Sequence, residues 1–358
     1  MMKALYVTSL HTFSGKTAIC LGLGRRLKAE GHTIGYFKPL SIHLWRTECG
    51  MADEDAEFVR RMLDLPGDPC DLVGVVLTPD LLEQTLLGKT SSDDLLSQMI
   101  SSFKEISAGK DVMLLEGGGT LREGFSLGLG TPIVAENLDA PVLAVTPFEG
   151  RVSWLDDCRV AKFRLGDRLL GVVANKVPDE EMDFVTRVAQ SYLAQHDIKF
   201  LGALPCREEL QAMSVGELAE VLNGEFLTLP EKHDVLIERL IVGAMNVEQA
   251  LPRIRRISGP KAVITGGDRA DMQLVALETA TRCLILTGYL RPVPEVLRRA
   301  EEAGVPVLLV RGSTMETVDA IEEVFGKTRL GQMSKLEEFE ALLEAHFDFK
   351  LLYEGMGL

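Results

Sequence analysis

The sequence predicts an α/β protein: a mainly parallel sheet flanked by helices around a phosphate-binding loop, followed by a smaller α/β unit. Three observations carry that expectation. Short apolar runs alternate with amphipathic stretches along most of the 358 residues, as strands buried on both faces do between covering helices. Ser14-Gly15-Lys16-Thr17 stands where the first apolar run gives way to a helical pattern. The alternation then breaks near residue 212 and restarts after a connection.

In order along the chain, "ALYVTS", "TIGYFK", "DVMLLEG", "PVLAVTP", "LLGVVANKV" and "KFLGALP" read as strands, with helices between them. Gly31 behind "RRLKAE" is a helix stop, and the basic residues of that last turn suit the negative end of the dipole. After "GALPCREEL", Ser214 and Glu217 form a capping box for "VGELAEVL", and "GEFLTLPEKHD" reads as a connection. A second series follows, with strands at "RLIVGA", "KAVITGG", "CLILTG" and "PVLLVRG" and helices at "DMQLVALETA", "VPEVLRRAEEA" and "METVDAIEEVF". "SKLEEFEALLEAHF" reads as a closing helix. These patterns divide the chain into residues 1–212, 213–330 and 331–358.

Composition narrows the function. With 53 acidic against 38 basic side chains the net charge is −15, which repels a nucleic-acid backbone and offers nothing to anionic lipid. No apolar run approaches a membrane span, and the opening "MMKALYVTSL" is too short for a signal peptide, so a cytoplasmic protein is expected. The six cysteines are far apart with no Cys-x-x-Cys pair; buried free thiols are expected, with neither a zinc site nor a disulfide framework.

A strand running into a helix at Gly15 sets Lys16, Thr17 and free backbone N–H groups at a positive helix end, where anions bind. In such loops the lysine reaches the β- and γ-phosphates and the threonine hydroxyl meets magnesium. Ser9 and Leu10 replace the usual leading glycine, so a structural turn is the competing reading. Lys38 in "YFKPL" ends the second strand, at the edge where an α/β sheet collects its site, or simply reaches solvent. Asp53, Glu54 and Asp55 open a helix as dipole-stabilising acids or supply a magnesium ligand. Glu116 ends an apolar strand before Gly117, Gly118 and Gly119, where a carboxylate can meet a metal and the backbone can approach a phosphate. Asn175 ends another strand, placed to read an adenine edge or to make a turn. His11 either touches phosphate or fills the loop.

Taken in this order, these pieces resemble the dethiobiotin synthetase-like branch of phosphate-loop proteins, over roughly residues 3 to 210. The resemblance implies ATP and Mg2+ used to activate a carboxyl group. It implies Lys16 and Lys38 as catalytic positions and Ser14, Gly15, Lys16, Thr17, Ala18, Gly117, Gly118 and Asn175 as nucleotide contacts. Thr17, Glu116 and Asp53, or Asp55 in its place, would meet the metal. Two departures argue against dethiobiotin as the product: His11 stands where those enzymes carry an acid, and "LSIHLWRTECG" replaces their Gly-containing substrate turn.

"KAVITGGDRADM" and "CLILTGYL" resemble the domain named for its Asp-Arg and Thr-Gly-Gly signatures, with Tyr289 in place of the final glycine. Asp268, Arg269, Thr287 and Gly288 are its candidate pocket, two glycine turns whose amides and guanidinium suit a small anion; capping and mutual pairing of Asp268 and Arg269 is the alternative. The two modules together resemble the N-terminal, non-catalytic region of long phosphate acetyltransferases and their stand-alone relatives. Because the sequence ends at Leu358, acetyl phosphate synthesis is not expected. The expected function is that of an ATP- and magnesium-binding regulatory protein that responds to a nucleotide and a small carboxylic acid effector, as a homo-oligomer. An ATP-dependent carboxylate-activating ligase or kinase is the alternative, and a structural partner without nucleotide is a third reading.

Overall fold

The computed structural model describes residues 2–243, 247–325 and 333–358. It divides into two compact units, Met1–Cys206 with Leu330–Leu358, and Arg207–Arg329.

The first unit is built on β1 (Lys3–Thr8), α1 (Lys16–Ala29), β2 (Ile34–Ser41), β3 (Trp45–Thr47), β4 (Gly50–Ala52), α2 (Glu54–Met62) and β5 (Val73–Val76). It continues through α3 (Pro79–Leu86), α4 (Ser92–Ile106), β6 (Val112–Glu116), α5 (Thr131–Asn137), β7 (Val142–Pro147), α6 (Arg151–Leu165), β8 (Leu169–Val177), α7 (Gln190–Gln195) and β9 (Phe200–Pro205). Seven strands form one parallel sheet in the order β5-β2-β6-β1-β7-β8-β9. Strands β1, β2, β6 and β7 are buried almost throughout, which is why their sequences are apolar without alternation. The register sets Val7 beside Glu116 at the carboxyl edge, so the carboxylate stands next to the loop that leaves β1.

The expected strands are all present, and the sheet has one more. β5 is four residues long and pairs only with β2, too short to stand out as a period. The β3–β4 hairpin carries Cys49 at its turn, against Cys70, and the two are joined as a disulfide with Cα atoms 6.4 Å apart. This corrects the expectation of six free thiols: a spacing of 21 residues has no motif, and folding alone brings the pair together. Cys20, Cys158 and Cys283 are buried free thiols, as expected. Among the described residues no helix is long and apolar enough to cross a membrane.

The second unit contains α8 (Glu208–Gln211), β10 (Met213–Ser214), α9 (Val215–Val221), β11 (Glu225–Thr228), β12 (Leu236–Ile237), β13 (Arg239–Val242), α10 (Val247–Arg256), β14 (Lys261–Gly266), α11 (Ala270–Leu277), β15 (Thr281–Thr287), α12 (Pro294–Ala303), β16 (Val307–Leu309) and α13 (Thr314–Phe325). The Ser214–Glu217 capping box closes in both directions, at 3.1 and 2.7 Å. The five-stranded sheet runs β11-β16-β15-β14-β13, with β13 to β16 parallel and β11 antiparallel to β16. "GEFLTLPEKHD" is therefore not only a connection: its first residues become an edge strand once β16 offers a partner. Alternate residues split the core into two faces. Val263, Leu284, Leu286 and Val307 pack with α10, α11 and α12; Ala262, Ile264, Ile285 and Leu308 pack with α9 and α13.

The chain then returns to the first unit as α14 (Met333–His346) and α15 (Phe349–Met356). Leu343 and Phe339 of α14 lie against Gly22 of α1, where a larger residue would not fit. The Arg26 guanidinium stacks 3.9 Å over Phe349, and Tyr353 donates to Glu30 at 2.8 Å. So α1, which carries the phosphate-binding motif, is held between the sheet and α14.

Candidate functional site

Gly15 caps α1 with φ +94° and ψ 18°, a left-handed backbone that turns the chain from loop to helix. Lys16, the first helical residue, is 7% exposed and turns inward, donating to the Gly119 carbonyl at 3.0 Å. Burial lowers its pKa from the ordinary lysine value; Glu116 opposes that shift and the neighbouring Lys38 adds to it. Thr17 donates to Glu116 at 2.6 Å, and Tyr36 donates to the other oxygen of the same carboxylate at 2.8 Å. Burial raises the Glu116 pKa, Lys38 pulls it down, and the net shift is upward.

The turn after Glu116 folds against the loop after β1. Gly117 N–H donates to Val7 O (2.9 Å) and Leu121 N–H to Ser9 O (2.6 Å), while Gly119 N–H donates to Glu123 (3.0 Å). Asn175 donates from Nδ2 to the Ser14 carbonyl (2.8 Å) and accepts at Oδ1 from the Lys176 N–H (2.9 Å). The amide nitrogen braces the loop, and the oxygen is held by the backbone of the next residue. Lys176 Nζ adds a bond to the Phe13 carbonyl at 3.0 Å. Ser14 is fully buried and its Oγ has no hydrogen-bond partner; Ala18 is half-buried on α1.

Lys38 does not reach solvent. It is 4% exposed and donates to Asp53 (2.9 Å) and Asp55 (3.3 Å). Burial disfavours its charge, yet Asp53, Glu116 and Asp55 together raise its pKa above the usual lysine range. Asp53 also accepts from the Ala56 N–H at 3.0 Å, capping α2, and from Ser41. Its oxygens are thus engaged within the protein, and a metal there would compete with Lys38 and Ser41. Glu116 and Thr17, joined at 2.6 Å, are the adjacent carboxylate and hydroxyl that could hold an ion. Among the described residues no cluster of three or more His, Cys, Asp or Glu side chains is arranged to hold a metal.

Some participants were not foreseen. Tyr36 lies two residues before Lys38, so the two-residue period of β2 puts both on one face, a signal that was there to be read. Glu123 sits in a turn with no period at all. His11 shares a 2.8 Å hydrogen bond with Asp157 and lies 3.8 Å from Glu149, so the structure ties it to carboxylates.

In the second unit, Asp268 is exposed and Arg269 pairs with Asp271 at 3.2 Å. Thr287 is buried and shares a 3.0 Å hydrogen bond with Thr314, and Gly288 N–H donates to Gly312 O at 2.9 Å. The two turns are adjacent, with the Gly267 N–H donating to Thr287 O at 3.2 Å.

Comparison with known proteins places both modules. Residues 217–324 match the DRTGG domain. The phosphate acetyltransferase of Pseudomonas putida is 27% identical over 376 residues, covering 99% of this chain and 52% of that protein. That of Pseudomonas aeruginosa is 27% identical over 370 residues, covering 96% and 50%. The ATP-dependent dethiobiotin synthetase of Caldicellulosiruptor saccharolyticus is 31% identical over 120 residues, 34% of this chain and 49% of that protein. The chain spans about half the length of the phosphate acetyltransferases it matches. Residues 3–214, more than half of the chain, match the AAA domain family, and the protein belongs to that family in its dethiobiotin synthetase-like phosphate-loop branch, with a DRTGG domain behind it.

Proposed function

We propose that the first unit binds ATP together with magnesium and that the protein is a nucleotide-responsive regulator. The observation that carries this reading is the buried, unpartnered Ser14 hydroxyl beside an inward-turned Lys16 at the amino end of α1. An unsatisfied buried hydroxyl costs about 1–3 kcal/mol, and a phosphate oxygen in the loop would satisfy it. Lys16 would trade the Gly119 carbonyl for the β- and γ-phosphates. Thr17 and Glu116 would hold magnesium, which screens charge on the phosphates, and the ion would favour the ionised form that burial disfavours at Glu116. Titration calorimetry tests this directly: ATP should bind with magnesium, weakly without it, and not to Lys16→Ala. Equal binding by wild type and Lys16→Ala rejects the reading.

A second reading rests on one specific observation. Lys16, Lys38 and Glu116 are all buried and Glu116 acts on the charge of both lysines, so two ammonium groups and a carboxylate share one buried cluster. That arrangement suits a ligase or kinase that stabilises a transferred phosphoryl on its way to a small carboxylic acid. Labelled ATP incubated with a panel of small acids separates the two: turnover above background selects the enzyme, tight binding without turnover the regulator.

A further inference from the structure

Among the described residues three buried side-chain polar atoms lack a hydrogen-bond partner: Ser14 Oγ, Gln273 Oε1 and Thr317 Oγ1. Ser14 lies in the phosphate loop. The other two lie in the second unit, and both sit at the carboxyl edge of its parallel strands. Gln273 donates from Nε2 to Gly266 O, at the end of β14, leaving its oxygen alone. Thr317 is 1% exposed, in the first turn of α13, and its Oγ1 stands 3.4 Å from the Cβ position of Gly312, just beyond β16. Unsatisfied buried hydroxyls are rare, and one at a sheet's carboxyl edge asks for a ligand.

The topology of that sheet says where. β14 and β15 lead to α11 and α12 on one face, whereas β16 leads to α13 on the other. Connections that part to opposite faces open a crevice between their strands, and here it falls between β15 and β16. Tyr289 leaves the end of β15 and is 47% exposed; Arg311 leaves the end of β16 and stacks its guanidinium 4.7 Å from the ring centroid. Among the described residues no carboxylate pairs with Arg311. Thr287 and Thr314 join across the crevice at 3.0 Å, and backbone bonds from Gly288 to Gly312 O and from Tyr289 to Val310 O link the two loops. The amino end of α13 is closed by a capping box: Glu316 accepts the Ser313 N–H at 2.7 Å, and Ser313 Oγ accepts the Glu316 N–H at 3.3 Å.

We propose that this crevice binds a phosphate monoester carrying a flat group, with Arg311 and the Thr317 hydroxyl on the phosphate and the flat group stacked on Tyr289. The chemistry is complementary: an unpaired guanidinium favours a phosphate, and the exposed ring face favours a planar substituent. Tyr289 stands where the domain signature has glycine, so the stacking half of the site belongs to this chain.

The test uses the full chain carrying Lys16→Ala, which removes the proposed first-unit site from the readout. Inorganic phosphate, phenyl phosphate and AMP are titrated by calorimetry. Phenyl phosphate and AMP should both bind more tightly than phosphate; tighter AMP selects a nucleotide source and tighter phenyl phosphate an aryl ester. Arg311→Ala should weaken all three about tenfold or more. Tyr289→Gly should leave phosphate unchanged and erase the preference for the flat esters. Thr317→Val, nearly the same shape, should weaken binding about fivefold while leaving the fold intact. Absence of millimolar binding by all three probes overturns the proposal. So does binding unchanged by Arg311→Ala, or a Thr317→Val protein that is only more stable. Loss of ATP binding by the wild-type chain would bear on the first unit alone.

Discussion

Replacing Gly15 by alanine separates what the phosphate loop asks of its backbone from what it asks of its packing. Gly15 has φ +94°, and an L side chain there costs about 1–2 kcal/mol. The new Cβ would also overlap Asn175 Nδ2, with Asn175 Cγ 3.6 Å behind it. Asn175 would have to leave, and its bond to the Ser14 carbonyl goes with it, a further loss of about 1 kcal/mol. The total is roughly 2–3 kcal/mol. Gly31 is the internal control: its φ is +92°, but nothing lies within 4 Å of its Cβ position, so Gly31→Ala should cost only the backbone part. Urea unfolding at constant slope gives both values. Gly15→Ala should couple to Asn175→Ala by about 1 kcal/mol in a double-mutant cycle, and it alone should abolish stabilisation by ATP. If Gly15→Ala proves no worse than Gly31→Ala, or the cycle shows no coupling, the brace assigned to Asn175 does not exist.

Other outcomes follow from the same geometry. Asp53→Ala strips Lys38 of a buried counter-ion and α2 of its cap, and should cost about 3–5 kcal/mol in urea unfolding, with Asp53→Asn milder; a loss under about 1 kcal/mol would contradict the buried pair. Lys16 has a lowered pKa, so between that value and the ordinary lysine value of about 10.4 the unfolded chain holds a proton that the folded one lacks, and stability from this group rises with pH. Lys16→Met should therefore stabilise the free protein at neutral pH and flatten the alkaline profile. It should also remove the roughly 2.7 kcal/mol that ATP at a hundredfold excess over Kd would add; an alkaline stability profile unchanged by the substitution would refute the assignment. Reducing the Cys49–Cys70 bond, or Cys49→Ser, should lower stability by up to about 3 kcal/mol, and a denaturation midpoint indifferent to reductant would mean the thiols are not linked.

Much of this molecule was legible before folding because its information is local. Buried parallel strands must be apolar on both faces, so β1, β6 and β7 announce themselves as runs. A helix amino end that faces an anion needs a flexible cap and a cation, so Gly15, Lys16 and Thr17 announce the loop. Glu116 and Lys38 were visible as charges at the ends of apolar strands, although for Lys38 the sequence left a site and a reach to solvent both open. What depends on a partner far along the chain was not visible. β11 is a strand only because β16 lies beside it, and Cys49 meets Cys70 only because the β3–β4 hairpin folds back.

The residue sequence by itself determined the two α/β modules, the phosphate-binding junction and the polar side chains gathered around it, since each follows from periodicity and composition within a few turns of chain. Tertiary structure alone decided how those side chains spend their bonding capacity. It turned Asp53 into a counter-ion and cap, made Asn175 a brace on the loop, and left Ser14, Gln273 and Thr317 with hydroxyl or amide oxygens unanswered. Hydrogen bonds saturate and charges pair at distances of a few ångströms, so the partner of a buried polar group is set by the packing of segments that the sequence keeps far apart.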